Sequence, residues 1–103
     1  MATALVFIRD HACNPIQVGD VVAAVEVSRS SLETRFKTAM GRTIHAEIQR
    51  VQIEQARRLI AGTDLPLKQV ATMAGFIHVH YLTTVFRRNT GWTPGEYRKH
   101  SRL

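Results

Sequence analysis

The stretch that decides the fold is Leu67–Arg98, LKQVATMAGFIHVHYLTTVFRRNTGWTPGEYR. Its pattern predicts a helix from Leu67 to Ala74 and a break at Gly75-Phe76. A second helix should run from His78 to Thr90 and end at Gly91. Apolar residues recur at three- and four-residue spacings, which gives each helix one apolar face: Val70, Ala71, Ala74, Leu82, Val85 and Phe86. We therefore expect two short packed helices joined by a tight turn.

The opposite face of the second helix is basic and rich in hydrogen-bonding groups. Its members are His78, Val79, His80, Thr83, Thr84, Arg87 and Arg88. Two short helices joined by a glycine turn, the second with such an outer face, are typical of the helix-turn-helix motif. In that motif the second helix lies in the DNA major groove and reads the bases.

The same pattern, L-x-x-x-F-[KR]-x-x-x-G-x-T, occurs fifty positions earlier. The matched pairs are Leu32 with Leu82, Phe36 with Phe86, Lys37 with Arg87, Gly41 with Gly91 and Thr43 with Thr93. Upstream of the break the best offset is forty-nine, which pairs Val22 with Ala71 and Val27 with Phe76. The chain is therefore predicted to contain a duplicated two-helix unit.

The first part of the chain should add further helices. We expect one from Thr3 to about Cys13 and another over Ile16–Val25, for which a β-strand is the alternative because of its valine content. Ser28 is a good N-cap for the next helix, which Gly41 should close. Its predicted inward residues are Leu32, Phe36, Ala39 and Met40.

A long helix should connect the two units, starting after Thr43 and ending near Ala61. At 1.5 Å per residue, a helix of this length is roughly 28 Å long. Successive major-groove faces on one side of B-DNA lie about 34 Å apart. The connector could therefore hold two recognition helices at nearly the required separation.

The end of the chain carries a capping box. In Thr93-Pro94-Gly95-Glu96, Thr93 is the N-cap, proline takes the first helical position and Glu96 lies three residues past the cap. A last helix should run to about His100, with Trp92 and Tyr97 packed over the second unit. The sequence thus predicts an all-α fold of about seven helices, with helix-turn-helix subdomains at 1–42 and 62–103 and a linker helix at 43–61.

The positive charge is concentrated in the second unit. Residues 1–64 hold eight Lys/Arg and seven Asp/Glu, a net +1, whereas residues 65–103 hold six and one, a net +5. A basic helix face suits a polyanion, because each phosphate contact releases a condensed counterion. The single cysteine fits a reducing compartment, and the apolar opening of eight residues is too short for a signal peptide or membrane span. We expect a cytoplasmic location.

Catalytic and metal-binding functions have no support in the residue pattern. No glycine-rich phosphate loop, nucleophile and base pair or carboxylate pair stands out. His78 and His80, taken with Cys13 or His45, could be imagined as a zinc site. Histidines two positions apart on a helix point about 200° from each other, and the set has no known zinc spacing. We therefore expect no enzyme, no cofactor and no metal.

The signature of the C-terminal unit closely resembles that of the AraC/XylS family of bacterial transcription regulators. The residues that carry it are Ala71, Gly75-Phe76, Tyr81, Phe86-Arg87, Gly91, Thr93-Pro94 and Tyr97-Arg98. The first unit, at 27–37 and 43–48, more narrowly resembles members that activate sugar-catabolism operons such as that of xylose. Four residues depart from the family pattern: Val22 for alanine, Glu26 for glycine, Glu47 for an aromatic residue and Gln52 for arginine.

The resemblance implies two homeodomain-like subdomains that bind adjacent major-groove segments on one DNA face. It also implies a longer bacterial protein, acting at the nucleoid, whose N-terminal part binds a small effector and dimerises, and which contacts RNA polymerase. The alternatives are a helical module that binds an acidic protein partner and a nonspecific nucleic-acid binder.

The predicted DNA contacts fall on both recognition helices. The family's base-reading positions correspond here to Ser30, Glu33, Thr34, Val79, His80 and Thr84. None of these is Arg or Lys, the usual guanine readers. Phosphate contacts are expected from five basic residues, Arg29, Lys37, Arg42, Arg87 and Arg88. Backbone N–H groups near Ser28, Thr43 and Thr93 should add to them.

Overall fold

The computed structural model describes residues 1–102, which form seven α-helices and no β-strand. The helices are α1 Ala2–His11, α2 Val18–Val25, α3 Arg29–Met40, α4 Ile44–Gly62, α5 Leu67–Met73, α6 Val79–Thr90 and α7 Pro94–Ser101. The all-α prediction is confirmed. The strand alternative for 16–25 is wrong, because α2 occupies most of that segment.

The predicted helix starts rest on local side-chain caps. The Ser31 N–H donates to Ser28 Oγ at 3.3 Å, and the Ala46 N–H donates to Thr43 Oγ1 at 3.1 Å. In the capping box at 93–96, the Thr93 N–H donates to Glu96 Oε1 and the Glu96 N–H donates to Thr93 Oγ1. These side chains satisfy N–H groups that the first helical turn leaves without partners.

Two helix boundaries differ from the prediction by two residues, and others differ by one: α1 begins at Ala2, α5 ends at Met73 and α6 begins at Val79. The first helix ends at His11, not near Cys13. The second begins at Val18, not Ile16. The Gln17 N–H donates to Asp20 Oδ2 at 2.7 Å, which makes Gln17 the N-cap and Val18 the first helical residue.

The interior consists of two hydrophobic clusters that share α4. The first cluster packs α1, α2, α3 and the start of α4 through Ala4, Ile8, Ala12, Val21, Leu32, Phe36, Ile44 and Ile48. The second packs the rest of α4 with α5 and α6 through Ile53, Ala56, Ile60, Val70, Ala71, Ala74, Phe76, Leu82, Val85 and Phe86. The molecule measures 46 × 22 × 20 Å along its principal axes. The subdomain limits 1–42, 43–61 and 62–103 stay a prediction.

Two predicted core residues lie at the surface. Ala39 is exposed near the end of α3, whereas Met40 is half-buried. Trp92 is 38% exposed in the α6–α7 connection and stacks on His100, with ring centroids 4.7 Å apart. Tyr97 does pack as expected, edge-on against Phe86 at 5.4 Å.

The two equivalent turns have different residues in the same left-handed conformation. Gly75 has φ +93° in the second unit, and Glu26, forty-nine positions earlier, has φ +60° in the first. A left-handed backbone costs a residue with a Cβ about 1–2 kcal/mol. Glycine adopts that conformation without the steric cost, although its greater freedom in the unfolded chain cancels about 0.5–1 kcal/mol.

Glu26→Gly is therefore expected to stabilise the domain by about 0.5–1 kcal/mol. The midpoint of urea unfolding, at an unchanged denaturant slope, measures this effect. Glu26→Ala removes the same charge but keeps the Cβ, so it should bring no comparable gain. A lower midpoint for Glu26→Gly would contradict the assignment of strain to this turn.

Candidate nucleic-acid interface

The outer face of α3 is open to solvent over its whole length. Ser30, Glu33, Thr34 and Lys37 are all exposed there, while Leu32 and Phe36 are buried on the opposite side. Along this face Arg29 Nε lies 3.2 Å from Glu33 Oε1. Arg29, a predicted phosphate contact, therefore pairs with Glu33, a predicted base reader, in the free chain. Binding to DNA would require this exposed ion pair to separate or to rotate as a unit.

The outer face of α6 combines apolar groups, hydroxyls and cations. Val79, His80, Thr84, Arg87 and Arg88 are exposed. The Thr84 hydroxyl donates to the His80 carbonyl at 3.2 Å, and the Thr83 hydroxyl donates to the Val79 carbonyl at 3.0 Å. With its hydrogen engaged by the backbone, Thr84 can offer a base only an acceptor oxygen or its methyl group.

Two grooves run along this side of the molecule and meet at His45. The first groove lies beside α3 and includes Arg29, Glu33, Thr34 and Lys37 in its lining. The second lies between α4 and the start of α6, lined by residues that include Gln49, Ile77, His78 and Tyr81. His45, on the first turn of α4, lines both. The groove beside α3 and the groove at the start of α6 therefore share one residue, and we call the two together the candidate surface.

The start of α6 is held against the connector helix by a polar contact. Gln49 Nε2 donates to the Tyr81 hydroxyl at 2.8 Å. Tyr81 also packs edge-on against the buried Phe76, with ring centroids 5.8 Å apart. Helix α6 is thus positioned by α4 at its first turn, where the base-reading residues are predicted.

The basic residues differ in whether their charge is already paired with a carboxylate. Within residues 1–102, Lys37, Arg87 and Arg88 make no ion pair, although the charge of Arg87 acts on Glu96. Arg42 Nη1, by contrast, donates to Glu47 Oε1 at 2.9 Å. The predicted phosphate contact at Arg42 would therefore use its remaining N–H groups.

Glu47 is a buried carboxylate between two arginines. Its side chain is 6% exposed and accepts from Arg50 Nε and Nη2 at 2.9 Å each, besides Arg42. The hydrogen bond from Arg50, followed by the charges of both arginines, lowers the pKa of Glu47 despite the opposing effect of burial. An ionised carboxylate at this corner of α3 and α4 fixes the position of Arg42 beside the α3 groove.

Glu47→Gln is expected to make the domain less stable at neutral pH but to make little difference in strong acid. Because the folded-state pKa is depressed, the carboxylate stabilises the fold above its unfolded-state pKa, and that contribution is lost as pH falls through the folded-state value. The urea midpoints of the wild type and of Glu47→Gln, compared between pH 7 and pH 2, measure the difference in stability. A gap that stayed constant or grew toward low pH would contradict this electrostatic role.

Two residues of this surface had not been predicted as contacts. His45 enters the sequence argument only as a rejected zinc ligand, because its place between the two grooves depends on how the two units are oriented. Ile77 is 76% exposed, immediately before α6. A large apolar residue between the buried Phe76 and the N-cap His78 was a usable signal, because at that position it has no core to join.

All eleven predicted contact residues are exposed, and their roles stay a prediction.

Within residues 1–102 no group of three or more His, Cys, Asp or Glu side chains could hold a metal ion. In the same residues, no helix has the length and apolar character needed to cross a membrane.

Comparison with known proteins identifies relatives of this surface and fold. A family model described as a helix-turn-helix domain matches residues 21–100. The xylose operon regulatory protein of Escherichia coli (strain K12) is 43% identical over 95 residues, which make up 92% of this chain and 24% of that protein. The chain thus spans about a quarter of the length of this regulator and of its counterpart in Haemophilus influenzae.

Two solved structures share the fold. The structure of the xylose-binding transcription activator xylR matches with a TM-score of 0.80 at 43% identity, over 93% of this chain and 25% of that one. The DNA-binding domain of AdpA, a global transcriptional factor, was solved in complex with a target DNA. It matches with a TM-score of 0.93 at 27% identity, over 98% of this chain and 91% of that one.

Proposed function

We propose, from the premise that this chain belongs to the AraC-type helix-turn-helix domain family, that its two units read adjacent major-groove segments on one face of a DNA duplex. The chain is a DNA-binding domain of a transcription regulator, as the family match and the relatives establish. What we add is the mode of binding, in which α3 and α6 act as the two recognition helices.

The observation that carries this proposal is that the groove beside α3 and the groove at the start of α6 share His45. Each of these helices buries its leucine and phenylalanine in the core and leaves its predicted contact residues exposed. A duplex lying along the long dimension of the domain, 46 Å, could meet both helices from one side. Adjacent major-groove segments on one side recur about every 34 Å, so the domain is long enough to reach two of them.

The two kinds of contact have different chemical roles. Lys37, Arg87 and Arg88, which make no ion pair, supply positive charge for phosphate oxygens, which sets the register of the protein on DNA. The base-reading set Ser30, Glu33, Thr34, Val79, His80 and Thr84 supplies one carboxylate acceptor, several hydroxyls and apolar groups. In the major groove these suit the cytosine amine and the thymine methyl better than guanine.

Selection of duplexes from a random-sequence pool, followed by sequencing, tests the proposal. The enriched sequences should contain two short elements whose centres lie about one helical turn, 10–10.5 base pairs, apart. Binding of the selected duplex should exceed binding of a scrambled duplex and should fall steeply with salt. Enrichment of a single element only, or of no sequence, would contradict the two-helix mode.

Lys37→Ala and Arg87→Ala are each expected to weaken binding to selected and scrambled duplexes alike. Each should also reduce the slope of log affinity against log salt by about 0.9, because one fewer counterion is released. Glu33→Ala should act differently and relax the preference at one base pair, an effect of about 1–3 kcal/mol. Titrations of labelled duplexes at several salt concentrations measure all three.

Arg9→Ala is the matched control for these charge changes. Arg9 is exposed on α1 and lines neither groove of the proposed surface. Its removal lowers the net charge by the same amount and should leave the salt slope nearly unchanged. Equal effects of Arg9, Lys37 and Arg87 would show that only overall charge matters, and would remove the assigned phosphate contacts.

For the intact protein we propose an activator of a sugar-catabolism operon. The support is the likeness to xylose operon regulators, which are about four times longer than this chain. The proposal includes an additional segment that binds a small effector and dimerises, contact with RNA polymerase, and a place at the nucleoid in the bacterial cytoplasm. We assign the chain no catalytic role and no cofactor.

A second candidate is a helical interaction module that binds an acidic protein partner. The observation that favours it is the exposed apolar set at the start of α6, whose last turn carries Arg87 and Arg88; Ile77 and Tyr81 in this set are 76% and 45% exposed. Affinity for selected over scrambled DNA distinguishes the candidates. A pure interaction module would show no such ratio, and a nonspecific nucleic-acid binder would show salt dependence without sequence preference.

A further inference from the structure

A single buried side-chain amide connects the two halves of the molecule. Gln52 lies in the middle of α4 and is only 7% exposed. Its Nε2 donates to the Ala12 carbonyl at 2.9 Å and to the Gly75 carbonyl at 3.4 Å. Ala12 follows α1 in the first unit, and Gly75 is in the turn between α5 and α6 in the second.

The backbones of the two halves approach each other closely at this point. A Cβ built on Gly75 would lie 2.6 Å from the Ala12 carbonyl oxygen and 2.9 Å from Cys13 Cα. The α5–α6 turn, which leads directly into the second recognition helix, therefore rests on the end of α1. Gln52 is adjacent to both, with its Nε2 3.0 Å from the same built Cβ.

Gln52 also lies at the boundary between the two hydrophobic clusters. Ile48, one turn earlier on α4, belongs to the first cluster, and Ile53 belongs to the second. Apolar contact is non-directional, so it allows two packed bodies to rotate or slide. A buried amide that must satisfy its donors favours one arrangement, because any other leaves a polar group without a partner.

We propose that Gln52 is a positioning residue that sets the angle and separation of α3 and α6, and thereby the spacing of DNA elements that the domain accepts. The inference rests on the proposed two-helix binding mode. It adds that the units act as one rigid reader, joined through the amide and the two carbonyls. Gln52 itself need not touch DNA.

Rigid linkage gives a specific binding signature. When the first unit is bound, the second is held at a fixed distance and direction, which raises its effective concentration at a correctly spaced element. A wrongly spaced element gains nothing from that linkage. Loosening the junction should therefore weaken binding to the correctly spaced duplex and improve relative binding to others, while contact with a single element is unaffected.

Gln52→Met is the central variant, since it keeps the length of the side chain and removes the amide donor. The probes are the duplex selected by the wild-type domain, versions with one or two base pairs inserted or deleted between the elements, and a version with one element scrambled. We expect binding to the selected duplex to weaken about tenfold and the penalty for altered spacing to shrink by a similar factor, with single-element binding changed less than about twofold.

Gln55→Met is the matched control. Gln55 is half-buried on the same helix and makes no side-chain hydrogen bond within residues 1–102. It should keep the spacing preference of the wild type. Gln52→Ala provides a second loss of the donor with a smaller side chain, for use if methionine disturbs packing enough to unfold the domain.

A measurement without DNA separates this inference from the proposed function. Residual dipolar couplings of backbone N–H groups in weakly aligned wild-type protein should fit one alignment tensor for α1–α3 and α5–α7 together. In Gln52→Met the two groups should need different tensors, although each still fits its own helices. One shared tensor and an unchanged spacing profile in both Gln52 variants would overturn the positioning role.

The outcomes for the two proposals are distinguishable. If the wild-type domain selects no two-element duplex, the binding mode fails whatever the couplings show. If it selects one, and both Gln52 variants lose affinity equally at every spacing, Gln52 stabilises the fold without setting the spacing. Unfolding midpoints above the assay temperature for each variant exclude a trivial loss of folded protein.

Discussion

Gly75→Ala is expected to destabilise the domain by about 3 kcal/mol. The backbone at Gly75 has φ +93°, which costs a residue with a side chain about 1–2 kcal/mol. The added methyl group would also lie 2.6 Å from the Ala12 carbonyl oxygen and 2.9 Å from Cys13 Cα. These are backbone atoms that cannot move without shifting α1, and such overpacking costs about 1–3 kcal/mol.

Gly41→Ala isolates the contribution of the contact. Gly41 also has a positive φ, +74°, but a Cβ built there meets nothing within 4 Å. It should lose only the conformational part, about 0.5–1 kcal/mol once the greater freedom of glycine in the unfolded chain is subtracted. Urea unfolding of the two variants gives the difference directly. Equal losses would mean that the approach of the α5–α6 turn to α1 is looser than the structure shows.

Gly75→Ala should also affect DNA binding in a way that Gly41→Ala does not. Relieving the overlap at Gly75 would move the turn that precedes α6, and so would reorient the second recognition helix relative to α3. We therefore expect Gly75→Ala to reduce binding to a two-element duplex by more than its loss of folded protein explains. Gly41→Ala should lower binding only in proportion to unfolding.

The features that could be predicted from the sequence are those that depend on near neighbours. Ser28, Thr43 and Thr93 cap the helices that begin one residue later, and the hydrogen bonds reach only three residues along the chain. The duplicated leucine and phenylalanine identify the buried face of α3 and α6, since helical periodicity carries that information locally. The outward face follows by exclusion, whereas the choice of base-reading residues on it is what the family resemblance implies.

The features that could not be predicted join distant parts of the chain. Gln52 meets partners 40 and 23 residues away, and its departure from the family's usual arginine gave no hint of which carbonyls it would reach. Glu47, another departure, is an exception: its partners Arg42 and Arg50 are only five and three residues away, but the family pattern does not indicate that both would pair with it. His45 joins the two grooves only because the units have a particular relative orientation.

Phe36→Ala and Phe86→Ala are expected to be the most damaging single changes in their respective clusters, at about 3–5 kcal/mol each. Both side chains are 0% exposed, and they occupy matched positions of the duplicated pattern. Phe86 also packs edge-on against Tyr97 at 5.4 Å, a geometry worth about 0.5–1.5 kcal/mol beyond burial, so its loss should be the larger. Urea unfolding followed by far-ultraviolet circular dichroism measures both.

Phe7→Ala provides the matched control, because Phe7 is only half-buried at the edge of the first cluster and should cost markedly less.

Phe36→Ala and Phe86→Ala also test how strongly the two hydrophobic clusters are coupled. The fluorescence of Trp92 reports on the second unit alone, whereas circular dichroism reports on all seven helices. If α4 and the Gln52 junction unite the clusters, Phe36→Ala should lower the fluorescence midpoint as much as the dichroism midpoint, although Phe36 belongs to the other cluster. A fluorescence midpoint left at its wild-type value would show that the second unit unfolds independently, and a rigid two-helix reader could not then be maintained by α4.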